Sequence, residues 1–544
     1  MTERGQSNDA LLTELTEYCR PFSEDDWFRR DHRRPAFTKD GLLAIIERHR
    51  QPLNNNDPNI NYAFFHEACH NEKSTEGIMR YLIEHFPGAV RHADEVGRLP
   101  LHNICRHIDG SGNFDRIFQR YPKTKHVTPS VVKLFIDAFP DSLRVEDNNG
   151  YLPLHHFCLN KNLDEEVALK ILKLLVKSCP DSVRHTTSTR GNLPIFLAIG
   201  YQKSPEFCRI LIEAYPGSER MARREDGALP FHMACQYNTV ATAKYFHKFY
   251  PESINVVTTT GFYPIHYAIA AMQSGSQDAI EIVQFLLDRD PNVALQENRS
   301  GKLPLFLVCN YDYEGFVTVP LPNQPSVRIL SLALKVLRIL YDAYPEVIEN
   351  NDVTSNIGRF CQEIQTFINE QRTYAQQAKD PLVMSTPDED GRLPLHKVLQ
   401  SNNPTLGSIK LLVKGNLNAL QSPDNDGALP LHLVCQRDES ATNISIVKHL
   451  LGVDTTALPV GDKQGNTALH YACRDAKHKM IAPLTEKYGA VSKRSARKEL
   501  PLQLLLESTE VSDKDGIEYT DSIFRLIRAH PDTVRAQIEL HINK

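Results

Sequence analysis

One nine-residue phrase recurs along the chain, and a sequence that repeats itself folds as stacked copies of a small unit rather than around one core. The phrase is Gly, any residue, Leu, Pro, Leu, His, two residues, Cys. It reads GRLPLHNIC from Gly97, GYLPLHHFC from Gly150, GNLPIFLAI from Gly191, GALPFHMAC from Gly227 and GFYPIHYAI from Gly261. It returns as GKLPLFLVC from Gly301, GRLPLHKVL from Gly391, GALPLHLVC from Gly427 and GNTALHYAC from Gly465. NYAFFHEAC from Asn61 and KELPLQLLL from Lys498 are degenerate first and last copies. Successive starts from Gly97 are 33 to 53 residues apart, apart from a 90-residue interval between Gly301 and Gly391.

A second phrase follows each first one: an apolar helical pattern stopped by proline. It appears as YLIEHFP to Pro87, LFIDAFP to Pro140, LLVKSCP to Pro180, LIEAYP to Pro216, KYFHKFYP to Pro251, FLLDRDP to Pro291, LYDAYP to Pro345 and LIRAHP to Pro531. Apolar residues at i, i+3 and i+4 give one buried stripe, and Pro cannot continue a helix. Each unit therefore reads as two short antiparallel helices. The first starts at the Leu-Pro step, where proline's fixed φ suits the first helical position and no N–H is missed. Asp three residues before the glycine (Asp94, Asp147, Asp388, Asp424, Asp462) marks a tight turn between units.

These motifs resemble the ankyrin repeat. GNTALHYAC from Gly465 is close to the family's usual first-helix phrase; the other copies put Leu where the family has Thr, which removes a side-chain cap. The Leu-Pro-Leu-His form with its aromatic-Pro-Asp-Ser step is similar to a divergent subfamily typical of microbial eukaryotes. The shorter spacings fit the roughly 33-residue ankyrin period, and the longer ones add loops. The resemblance implies an all-α solenoid of about 11–12 helix-turn-helix units, binding proteins through its turns ("fingers") and first helices, with no enzymatic activity and no cofactor. The expected organisation is an N-terminal extension and capping helix over 1–52, repeats over 53–350, an inserted helical segment over 351–386, and repeats with a C-terminal cap over 387–544. Residues 1–40 are expected to be a flexible start that includes DDWFRRDHRRPAF, leading into a capping helix at GLLAIIERHR. Within 351–386, Ile364, Phe367, Ile368 and Tyr374 predict one mostly exposed helix followed by a loop at TPDEDG, acting either as a lid or as a long connection.

At 544 residues with 24% charge and a net charge of −5, nothing global draws the chain to nucleic acid or to a membrane. The N-terminus lacks the apolar segment of a secretion signal, and no apolar run spans a bilayer, so an intracellular setting, cytoplasmic or nuclear, is expected, with the 11 cysteines reduced.

His and Cys recur three residues apart (His66/Cys69, His102/Cys105, His155/Cys158, His232/Cys235, His432/Cys435, His470/Cys473), a spacing that puts both on one helix face. Other copies place Phe196, Phe306 or Gln503 at the His position and Ile199, Ile269, Leu399 or Leu506 at the Cys position. Metal ligands do not tolerate such exchange and core residues do, so no metal is expected. The His is read as a hydrogen-bonder tying a unit to the next finger, and the Cys as a small hydrophobe. Cys19, Cys179, Cys208 and Cys361 follow no ligand pattern, and no catalytic motif is present.

By resemblance, the partner-facing positions are those beside the turn glycines: Glu95, Arg98, Asn148, Asn149, Tyr151, Glu225, Asp226, Phe262, Lys302, Glu389, Arg392, Lys463 and Asn466. Tyr201, Tyr237 and Tyr311 follow the Cys position by two residues and join the candidates. These aromatics either bind a partner or cover the neighbouring unit. Near the C-terminus Arg474, Lys477, Lys479, Lys487, Lys493, Arg494, Arg497 and Lys498 gather with few acids, offering an alternative seat for an acidic partner or a phosphate backbone; the lack of interleaved aromatics argues against nucleic acid. The expected function is that of a protein-binding scaffold or adaptor whose partner, pathway and oligomeric state the sequence does not name.

Overall fold

The computed structural model describes residues 3–20, 37–49, 62–106, 126–311, 325–486, 490–508, 516–529 and 531. Among them every regular element is an α-helix or a short 3-10 helix. The chain divides into two compact units, Met1–Leu286 with Glu297–Gly301, and Leu287–Gln296 with Lys302–Lys544.

Both units stack the same helix pair. The inner helix starts at the Leu-Pro step as read from sequence: Pro100–Cys105, Pro153–Leu159, Pro194–Gly200, Pro230–Tyr237 and Pro264–Gln273 in the first unit, then Pro304–Cys309, Pro394–Gln400, Pro430–Gln436, Ala468–Arg474 and Pro501–Glu507 in the second. These helices are almost wholly buried; all six residues of Pro100–Cys105 are. Each apolar side chain so buried contributes about 1.5–3 kcal/mol. The outer helices, such as Pro129–Ala138 and Pro205–Ala214, begin behind Thr128 or Ser204, whose hydroxyls accept the N–H of Val131 and Phe207. They end one residue before the aromatic-Pro step, and the proline opens a 3-10 turn, as in Pro140–Arg144 and Pro180–Arg184. Twelve inner–outer pairs are described outside residues 351–385.

A cap survives the loss of threonine. The backbone N–H of Leu99 donates to Nδ1 of His102 at 3.0 Å, and Leu152, Leu229, Tyr263, Leu393 and Leu429 do the same to the histidine three residues on. The side-chain cap of the N-cap residue is absent, as the sequence reading expected, and the histidine meets a different group, the N-cap N–H, as His470 also does for Thr467. Gln503, in the last copy, does the same through Oε1, 2.8 Å from the nitrogen of Leu500.

The other end of several short helices is closed by the next pair. Asn160 Nδ2 donates to the carbonyl of Cys105, Asn238 Nδ2 to that of Ile199, Arg437 to that of Leu399, and Lys477 Nζ to that of Cys435. The C-terminal carbonyls of a helix have no partner inside it and carry its negative dipole end, so amide and cationic donors fit there.

Two segments differ from the sequence reading. Residues 3–19, expected as a flexible start, form the helix Glu3–Cys19, which buries Leu11, Leu12, Leu15 and Cys19. Asn71 donates to the carbonyl of Cys19 as its counterparts do to later inner helices, so Glu3–Cys19 with Lys39–His49 is a further pair. Most of DDWFRRDHRRPAF lies outside the described residues. The inserted segment is not one mostly exposed helix: Asn351–Asn356, a 3-10 turn Ile357–Arg359, Gln362–Gln377 and Pro381–Ser385 follow one another. Helix Gln362–Gln377 buries Ile364, Phe367, Ile368 and Ala375. Its Gln371, 1% exposed, accepts hydrogen bonds from Thr405 Oγ1 (2.9 Å) and Ser408 Oγ (2.5 Å), which seats it on the second unit's helix Leu406–Gly415.

Candidate partner-binding surface

The surface starts from the finger. Asp94 Oδ1 accepts the N–H groups of Val96 and Arg98, closing a turn at Gly97, whose φ is +78°. Asp147, Asp388, Asp424 and Asp462 repeat this through the same oxygen. Thr187 and Thr258 take over with a hydroxyl. The residue after the repeat histidine often steadies the finger aspartate: His156 on Asp147 at 2.9 Å, Tyr471 on Asp462, Lys397 on Asp388.

Fingers are tied to one another through the backbone. The N–H of Asn148 donates to Val96 O at 3.1 Å, that of Thr259 to Asp226 O at 2.9 Å and that of Arg299 to Gly261 O at 3.0 Å; in the second unit Asn425 bonds Asp390 O, Lys463 bonds Asp426 O and Ala496 bonds Gln464 O. A Cβ on Gly97 would sit 2.4 Å from Asn148 and one on Gly465 2.8 Å from the Ala496 nitrogen. Glycine is needed there for both its positive φ and the close approach.

In five copies the repeat histidine locks its inner helix to the following finger. Because Nδ1 accepts a backbone N–H, the proton is on Nε2, which donates to Val145 O from His102 (3.0 Å), His185 O from His155 (3.2 Å), Val256 O from His232 (3.0 Å), Val460 O from His432 (3.1 Å) and Glu499 O from His470 (3.2 Å). This is the role the sequence suggested. Burial pushes His102 and His232 down to about 4 and His155 to about 3. With both ring nitrogens engaged, none of these five imidazoles is available to a metal. Among the described residues no three His, Cys, Asp or Glu side chains gather as a metal site. All 11 cysteines are buried, and burial raises the thiol pKa of Cys158 and Cys435 to about 12.

The expected contact residues divide. Arg98 is turned onto Asp94 (3.0 Å), Asp226 onto Arg223 (2.5 Å), Arg392 onto Asp390 (2.8 Å) and Lys302 onto Asp352 (2.5 Å), so their charges are met within the protein. Asn148 and Asn466 make finger contacts with Glu95 O and Gln464. Glu95, Asn149, Glu225, Glu389 and Lys463 are exposed finger residues; Phe262 is exposed with its ring 5.9 Å from His266, and Tyr311 is half-buried.

Three tyrosines of successive repeats share one charged neighbour. Tyr151 and Tyr201 are half-buried and Tyr237 is exposed, and a residue absent from the sequence reading, Arg190, lies near enough to all three for its charge to favour their ionised forms. Burial outweighs that effect, and each hydroxyl stays above its ordinary pKa as a neutral donor. Lys161 sits 5.2 Å over the Tyr201 ring. Arg190 itself is exposed on the finger of Gly191. Its place immediately before a turn glycine, beside residues that were chosen, was the signal available in the sequence. In the C-terminal basic run, Arg474 pairs with Asp475 (3.0 Å), Lys477 is buried on a carbonyl, and Lys479 lies 3.7 Å from Glu518. Lys487 is outside the described residues; Lys493, Arg494, Arg497 and Lys498 are exposed. No helix among the described residues is long and apolar enough to cross a membrane.

Residues 395–495 match the family model for ankyrin repeats, in three copies. No curated protein matches the sequence. Among solved structures, the chain is similar to the ankyrin repeat domain of Bcl-3, described as a unique member of the IkappaB protein family, at 16% identity over 45% of this chain and 92% of that chain, with a TM-score of 0.31. That likeness is too slight to carry an argument about partners. Within the matched stretch, Leu429–His432 and Thr467–His470 start inner helices behind glycine fingers, and His432 and His470 bond the carbonyls of Val460 and Glu499 as the histidines of the first unit bond theirs; residues 395–495 of the chain are ankyrin repeats.

Proposed function

We propose that this protein is a non-enzymatic scaffold or adaptor that holds a protein partner on its finger and inner-helix face, with Arg190, Tyr151, Tyr201 and Tyr237 at the centre of contact in the first unit. Ankyrin repeats generally mediate protein–protein interaction. The observation that carries the finer reading is the cluster itself. The Arg190 guanidinium, on the finger of Gly191, lies within electrostatic reach of Tyr151 on the preceding finger and of Tyr201 and Tyr237 at the ends of inner helices. Tyrosine and arginine are the residues that concentrate binding energy, and a surface ordered in advance loses little entropy on docking.

The test is affinity capture from native lysate with the intact chain and with a variant carrying Arg190→Ala, Tyr151→Ala, Tyr201→Ala and Tyr237→Ala, after circular dichroism has established equal helicity. A protein held by the first and lost by the second supports this surface. Capture that the variant leaves unchanged refutes it.

A further inference from the structure

The last finger differs from all the others at the position of its turn glycine. In eight fingers a Cβ on that glycine would run into the following finger: Gly97 into Asn148, Gly227 into Thr259, Gly427 into Lys463 and Gly465 into Ala496 are examples. The final finger carries Lys498 there, at φ +66°. A non-glycine residue in the left-handed region costs roughly 1 kcal/mol. Its Cβ leaves the backbone toward the place where a further finger would stack, and the side chain is exposed.

Among the described residues the backbone edge beside it is unpaired in the same direction. The carbonyl just before the turn glycine accepts the next finger's N–H at Val96, Asp226, Asp390, Asp426 and Gln464. Arg497 holds that position in the last finger, and no described residue donates to its carbonyl. Around it Lys493, Arg494, Arg497 and Lys498 are exposed; among the described residues the only hydrogen bond made by their side chains is from Arg494 to the Lys498 carbonyl, and none of the four is ion-paired. Buried Ala490, Val491 and Ser495 anchor the loop.

We propose that this open edge binds an extended acidic peptide segment of a partner protein, which adds to the finger row as one more rung. The segment donates a backbone N–H to the Arg497 carbonyl and sets carboxylates against the four cations. A peptide suits both features. A nucleic acid backbone answers the cations but has no N–H for the carbonyl, and no aromatic ring stands among the finger's described residues to stack a base. The edge lies in the second unit and shares no residue with the Arg190 cluster.

The probe is a fluorescent dodecapeptide of alternating Glu and Ser, titrated with the full chain at roughly 0.15 M salt, where only near charges act. The variant Lys493→Ser, Arg494→Ser, Arg497→Ser, Lys498→Gly, chosen to leave the fold intact, is expected to bind at least about tenfold more weakly, the sum of four modest surface pairs. The same peptide with alternate amides N-methylated is expected to lose about fivefold, the worth of a net hydrogen bond. The Arg190 and tyrosine variant serves as control and is expected to bind the peptide as the intact chain does. No binding by the intact chain, equal binding by the basic-finger variant, or indifference to N-methylation overturns the proposal. Tighter binding of a 20-nucleotide single strand, about the length of a short oligomer probe, assigns the edge to nucleic acid and overturns it too. A chain truncated after Pro531 that binds the peptide several-fold more tightly assigns the edge to the protein's own C-terminal residues and equally overturns an external partner.

Discussion

Replacing His102 tests how one repeat holds the next. The side chain is 0% exposed; it accepts the Leu99 N–H at 3.0 Å and donates to Val145 O at 3.0 Å. Phenylalanine fills a similar volume, as Phe196 and Phe306 do in their copies, but leaves a buried N–H and a part-buried carbonyl without the histidine as partner. Each orphaned group costs roughly 1–3 kcal/mol. The Val145 carbonyl is only partly buried, so the lower end applies and His102→Phe costs about 2–3 kcal/mol. His102→Ala adds a cavity and costs about 4–5 kcal/mol. His102→Gln keeps the first bond, in the manner of Gln503, and costs about 1 kcal/mol. A long repeat array need not unfold in one step, so hydrogen exchange over residues 99–105 and 145–151 is the right assay. A loss of about 2–3 kcal/mol speeds exchange there about 30- to 150-fold. Protection in the Phe variant within about threefold of the parent would refute the claim that these bonds hold the finger.

The same histidines set an acid limit. Their folded pKa values lie near 4 for His66, His102 and His232 and near 3 for His155, against about 6.5 when unfolded. Between those values the unfolded chain binds protons that the folded chain does not, so stability is full above pH about 6.5 and falls as the pH drops toward 4. Thermal melts at pH 7, 6, 5 and 4 read this directly; a flat melting temperature down to pH 5 contradicts it. Gly427→Ala, whose Cβ would lie 2.8 Å from the Lys463 nitrogen, is expected to destabilise well beyond Gly301→Ala, whose Cβ meets nothing nearer than 3.9 Å, and equal denaturant midpoints would be the contrary result. Lys498→Gly is expected to stabilise by about 1 kcal/mol by relieving the positive φ, measurable as slower exchange at residues 490–500. Buried, pKa-raised thiols are expected to react with a disulfide reagent only after denaturant is added; rapid labelling of the native chain at Cys105 or Cys158 would show the stack to be open.

Much of the architecture is legible because its signals are local. Pro at a helix start, Gly at a left-handed turn and the apolar period of each outer helix follow from backbone sterics and from burial of one face. Repetition also settled the histidine question before any coordinates, since a ligand cannot alternate with phenylalanine. The sequence reading failed at both segments that lack the phrase. Glu3–Cys19 reads as polar in sequence but buries Leu11, Leu12, Leu15 and Cys19. Helix Gln362–Gln377 hides Gln371, whose burial is tolerable because Thr405 and Ser408, more than 30 residues on, donate to it.

What the sequence alone determined is the unit: two helices, a glycine turn, and a histidine that gives way to Phe or Gln in some copies and so reads as structural. Only the tertiary structure decided which side chains are spent and which are on offer. Arg98, Arg392 and Lys302 read as available charges and are paired, whereas Arg190, passed over, stands among three tyrosines contributed by different repeats. Lys477 read as part of a basic run and is buried on the carbonyl of Cys435. The physical reason is that these contacts run between units. Local rules place a residue on its helix or finger, but whether its charge meets a partner depends on the neighbour that stacking brings to it.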